Sequence, residues 1–219
     1  MTGCGCNDTA NMLCRAQDAA RRRVLWSVMA INLALFAGEF TAGWWADSSA
    51  LQADSLDSLG DAGVYLLSLA VIAGSDRQRA GAAVIKGAIQ GVFGLAVLAE
   101  VARRAWFGAE PLAPIMVIAA SVALVGNLVC FGLLSRFRVD DLNMRSVWLC
   151  SRNDLVNNVG VILAAALVAW SGTAWPDLVV GVMVAALFLH TSWQVLRAAW
   201  RPWRHPEADR RSLTTESTP

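Results

Sequence analysis

The sequence predicts an all-α membrane protein, a bundle of six transmembrane helices with both termini in the cytoplasm. Three observations carry this reading. The chain is 56% hydrophobic and only 16% charged over 219 residues, against about 25% charged for an ordinary soluble domain, and its mean hydropathy is +0.48. The apolar residues fall in blocks of about twenty, the length that crosses a hydrocarbon core. The basic residues fall on one set of connections between those blocks, as membrane topology requires.

Residues 1–23 form a polar, cysteine-containing, cytoplasmic tail that ends in Arg21, Arg22 and Arg23. A six-helix transmembrane domain follows over 24–200. Its first span, about 24–46, is too long for the apolar part of a signal peptide and lacks a cleavage-like site. Asp47, Ser48 and Ser49 make a short turn able to cap the next helix. The second span is about 50–73, and Gly74 to Arg79 turn the chain. The third is about 81–105. Pro111 and Pro114 mark the start of the fourth, about 114–134. A loop from Ser135 to Arg145 leads to the fifth, about 146–170. Gly172 to Pro176 turn the chain into the sixth, about 177–200, where Asp177 is placed to cap the helix. Residues 201–219 read as a short disordered cytoplasmic tail.

Six spans bring the termini to one side. That side collects Arg21–Arg23, Arg77, Arg79, Arg136, Arg138, Arg145, Arg201 and Arg204, whereas the other holds little beyond Arg103 and Arg104. Tryptophans give an independent check. Trp44, Trp45, Trp106, Trp170 and Trp175 fall at the predicted outer face, and Trp26, Trp148, Trp200 and Trp203 at the inner one, as aromatic belts do. The net charge of +1 is uninformative as a total, and no nucleic-acid partner is expected.

The second span holds Asp54, Asp57 and Asp61. Spacing of i, i+3 and i+7 places all three on one helical face. One aspartate at mid-bilayer costs roughly 2.5–3.5 kcal/mol on insertion scales, so intramembrane acids are functional by default. On the fifth span Cys150 and Asp154 are four apart and share a face, which Asn157 continues. Arg152 points elsewhere. Packed together, the two helices offer Asp57, Asp61, Cys150 and Asp154, and four donors are what tetrahedral zinc takes.

Asp54 reads as a ligand, a pathway residue or a partner of Lys86 or Arg152. Glu39 and Asn32 read as interhelical contacts or pathway residues. His190 and Cys130 read as structural. Cys4, Cys6 and Cys14 in the tail either handle a soft cation or are unpaired thiols. No phosphate-binding loop or hydrolase motif occurs, so neither an enzyme nor an ATP-driven pump is expected. Gly87 and Gly91 stand four apart on the third span, suited to close helix contact within or between protomers.

The run from Asn32 and Glu39 through Ser49-Ala50-Leu51 and Ala53-Asp54 to Asp57 and Asp61 resembles the first two helices of the cation diffusion facilitator family. Asp57 and Asp61 match its second-helix motif. Alignment on Val159-Gly160-Val161 puts the fifth-helix motif on Cys150 and Asp154, with Cys150 where a histidine is usual, and Asn127 and Asp177 also fit. The resemblance covers about residues 24–200, the transmembrane part, without the cytoplasmic C-terminal domain that usually follows. It implies efflux of divalent transition metals across a bacterial inner membrane, zinc first and then cadmium or cobalt. It also implies proton antiport, alternating access and a homodimer formed through membrane helices. The partners are metal ions, protons and lipid, with no cofactor beyond the transported ion. A thiolate at Cys150 shifts preference toward softer ions. Asp54, Glu39 and Asn157 then orient the ligands or line the pathway. The alternative is a non-transporting membrane protein that binds or senses metal through the tail cysteines.

Overall fold

The computed structural model describes the backbone of residues 5–71, 76–137 and 142–204, and the side chains of 19–67, 69, 81, 84, 85, 87–137, 148 and 151–197. Every regular element in these residues is helical. There are six: α1 (Gly5–Trp45), α2 (Ser49–Val71), α3 (Asp76–Phe107), α4 (Ala113–Ser135), α5 (Leu142–Ser171) and α6 (Trp175–Arg204). Each expected span corresponds to one helix. The main departure is at the N-terminus, where α1 starts at Gly5 inside the expected polar tail. The stretch before Val24 is rich in Ala, Arg, Met, Leu and Gln, which favour helix whatever their polarity. The tail thiols Cys4, Cys6 and Cys14 and the ligand candidate Cys150 have side chains outside the described residues.

Four helical stretches are long and apolar enough to cross a membrane: Ala19–Trp45, Ala113–Ser135, Ser151–Ser171 and Trp175–Arg197. In α2, Asp54, Asp57 and Asp61 fall within every stretch of that length. The carboxylates that mark this helix chemically are what keep its composition below that standard.

Short turns set the topology. Ala46 to Ser48 join α1 to α2, with Asp47 at φ 48°. Gly108 and Gly172 take positive φ just past α3 and α5, where a left-handed residue ends a helix without steric strain. Pro114 lies in the first turn of α4, where a missing N–H leaves nothing unsatisfied. These three turns meet at one end of the bundle, where the Leu112 N–H donates to the Ala46 carbonyl at 2.8 Å. We call this the three-turn end. Trp44, Trp45, Trp106, Trp170 and Trp175 all lie there and are largely exposed.

The helices pair as α1 with α2, α3 with α6 and α4 with α5, and α2 touches all five others. Where α3 meets α6 the contact is made by glycines. A Cβ on Gly87, Gly91 or Gly94 would stand 2.7–3.0 Å from Val195, Ser192 or Leu189. The glycine stripe of α3 is therefore spent on a contact inside the protomer. In lipid such contact rests on close approach, because apolar burial gains little there.

Two apolar clusters cap the middle of the bundle. One gathers Leu25, Val28, Val64, Tyr65, Cys130 and Leu134. The other, toward the three-turn end, gathers Ala46, Ala50, Leu51, Met116, Ala120, Val161 and Ala164. Along α2 the acidic stretch lies between them.

Candidate metal centre

One ligand oxygen from each of Asp57, Asp61 and Asp154 lies within 4.8 Å of the other two. Helical period brings Asp57 and Asp61 to one face of α2, and contact between α2 and α5 brings Asp154 opposite. Asp61 and Asp154 are buried and Asp57 is partly so. Three of the four expected ligands are thus together. Cys150 lies one turn before Asp154 on the same helix.

Neutral groups orient these carboxylates. The Asn157 amide donates to Asp57 Oδ2 at 2.7 Å, and the Tyr65 hydroxyl donates to Asp61 Oδ2 at 3.0 Å. Asp154 Oδ2 is buried without a hydrogen-bond donor. Two unit charges 4.8 Å apart repel by about 3–4 kcal/mol at an effective dielectric of 20. Three carboxylates held this close are stable together only with a cation or protons among them. Bonds from zinc to carboxylate oxygen are about 2.0–2.2 Å, so three oxygens on one ion would stand somewhat closer than the 4.8 Å limit found here. The wider interior has the same character. Among the described residues, Asn32 Oδ1, Glu39 Oε1, Asp54 Oδ2, Asn127 Oδ1 and Asn158 Oδ1 are further buried acceptors lacking donors. An acceptor-rich interior suits cations.

Asp54 is not part of the triad. It is buried beside Glu39 of α1, and Glu39 Oε2 accepts from the Ser58 hydroxyl at 3.1 Å. Arg152, one of its expected partners, is exposed, and the Lys86 side chain is outside the described residues.

The structure corrects the expectation for Asp177. It lies within the first turn of α6 and caps a different helix. Its carboxylate accepts the Ser48 hydroxyl and the N–H groups of Ser49, at 2.7 Å, and Ala50, at 3.1 Å. These are donors at the start of α2, which a helix leaves unsatisfied. Ser48 caps the same helix as expected, its Oγ accepting the Leu51 N–H at 3.1 Å. Beside them, Arg104 of α3 pairs with Glu100 at 2.6 Å and Asp47 at 3.4 Å.

The remaining candidates lie elsewhere. Cys130 is buried in the apolar cluster that includes Tyr65, accepts from the Asn32 amide at 3.8 Å and lies within electrostatic reach of Asp61 and Asp154. His190 is exposed and bonded to Gln194 at 2.8 Å. Sequence reasoning missed the role of Tyr65, although its position four residues past Asp61 puts it on the same face.

The cation efflux transmembrane domain, as a family, matches residues 25–201. The zinc transporter ZitB of Yersinia pestis is 25% identical over 198 residues, covering 84% of this chain and 63% of that protein. The zinc transporter ttm-1 of Caenorhabditis elegans is 27% identical over 207 residues, covering 80% of this chain and 50% of that protein. The metal cation efflux system protein CzcD of Cupriavidus metallidurans is 30% identical over 84 residues, 38% of this chain and 27% of that protein. The chain spans less than two thirds of the length of each of these relatives. An apolar helical bundle, a carboxylate cluster shared by its second and fifth helices and a family match across the whole bundle agree: this membrane protein belongs to the cation efflux family.

Proposed function

We propose that this protein exports divalent transition-metal ions, zinc first, across a bacterial cytoplasmic membrane in exchange for protons. The observation that carries the reading is the convergence of Asp57, Asp61 and Asp154 within 4.8 Å. Cys150, one turn from Asp154, supplies the fourth ligand, and its thiolate favours zinc and cadmium over magnesium and manganese. All six helices span the bilayer, with the three-turn end outside and both termini inside, in keeping with the arginine distribution.

Coupling follows from the donor set. A metal ion displaces protons from its ligands on binding. Reprotonation on the far side releases the metal, so alternating exposure of one site couples the two flows. Zinc binding accordingly weakens as pH falls, since protons compete for the same oxygens. Asn157 and Tyr65 hold the ligands, and Glu39 and Asp54 line the route toward the three-turn end. The zinc transporters ZitB and ttm-1 among its relatives support the choice of metal.

The test is zinc uptake and internal pH in sealed proteoliposomes. Zinc is expected to enter only with proton movement the other way, and Asp61→Ala is expected to abolish both. Full zinc flux in Asp61→Ala would remove the central site.

A further inference from the structure

The two halves of α2 are held differently. At the three-turn end Asp177 is fully buried and grips the helix start through a hydroxyl and two backbone N–H groups. Gly181, four residues on in α6, comes so close that a Cβ there would stand 3.1 Å from that of Ser49. The other half has room. Positions where a Cβ would sit on Gly60 and Gly63 have nothing within 4 Å. They border a cleft of about 360 Å³ that α2 shares with Ile89, Gln90 and Phe93 of α3. Asp61 lies on this half, which packs against Leu25, Val28, Cys130 and Leu134 through Val64 and Tyr65 but is open on the side of α3.

We propose that Asp177 is a positioning residue for transport: it holds the start of α2 as a pivot, about which the half bearing Asp61 swings into the cleft beside α3. This rests on the transport reading above. At 1.5 Å per residue Asp61 lies roughly 18 Å from the pivot, so a tilt of about 10° moves it roughly 3 Å. That displacement separates Asp61 from Asp154, which α5 carries, and breaks up the ligand set. The clamp itself does not open in the swing, because opening it strands a buried carboxylate and two helix-start N–H groups.

The experiment measures zinc turnover in proteoliposomes and zinc affinity in detergent for the unaltered protein, Asp177→Asn, Asp177→Glu and Gly63→Leu. Asp177→Asn is expected to lower turnover about tenfold while affinity stays within about twofold, and Asp177→Glu to recover part of the loss. Gly63→Leu fills the cleft at a position with free space, and is expected to slow turnover with affinity intact. Turnover of Asp177→Asn at the unaltered rate overturns the proposal, as does a loss of affinity matching its loss of rate. If Asp177→Asn fails to fold, Gly63→Leu decides: unaltered turnover overturns the proposal and slowed turnover with intact affinity supports it. Absence of zinc flux in the unaltered protein overturns the transport reading itself, and the pivot with it.

Discussion

Two groups of acidic side chains among the described residues stand in contrasting settings. At the three-turn end three of them have a complement. Glu100 lies against Arg103 and Arg104, Asp47 against Arg104, and Asp177 against the hydroxyl and N–H groups that open α2. In the middle of the bundle Asp57, Asp61 and Asp154 lie against one another, oriented by an amide and a phenol. The acids of the first group hold helices in place. Those of the second bring ligand oxygens within 4.8 Å of one another, an arrangement that under the proposed function serves a cation. The two settings also differ in burial: Asp47 and Glu100 are 42% and 29% exposed, while Asp61 and Asp154 are buried.

The widest separation of the two groups is expected from neutralising one member of each. Asp154→Asn should lower zinc affinity by about 100-fold or more, since the central set loses an ionised ligand. Titration calorimetry on purified protein reads this directly, and affinity unchanged within twofold would place Asp154 with the first group. Removing an orienting group should do less. Tyr65→Phe and Asn157→Ala are each expected to weaken zinc binding about tenfold, with the fold retained by circular dichroism. The smallest effect belongs to the other setting. Glu100→Gln weakens ion pairs to the exposed Arg103 and to the buried Arg104, so thermal stability should fall measurably while zinc affinity stays unchanged within twofold.

Much of the central site was legible because helical period is a local property. The registers of Asp57 with Asp61 and of Cys150 with Asp154 follow from spacing alone, whereas the contact of α5 with α2 that brings Asp154 opposite does not. Tyr65 obeys the same spacing, but its hydrogen bond to Asp61 is a side-chain contact that periodicity alone does not announce. Asp177 shows a deeper limit. A residue at the start of a helix ordinarily caps that helix, and only the contact of α6 with α2 shows that it caps another. The glycines of α3 lie between these cases: their spacing announces close contact, but not that α6 of the same chain makes it. For α1, hydropathy marked where the apolar part begins, while the helix itself is set by propensity and runs back to Gly5.

The short turn between α1 and α2 bears on how the protein enters a bilayer. Taken alone, α2 carries three aspartates, each costing up to roughly 2.5–3.5 kcal/mol at the bilayer centre, a poor candidate for independent integration. Joined to an apolar α1 by only Ala46 to Ser48, it has no slack to wait outside. In the proposed six-span topology the two helices cross as one hairpin, and the Ser58 hydroxyl donating to Glu39 gives that hairpin a polar contact of its own.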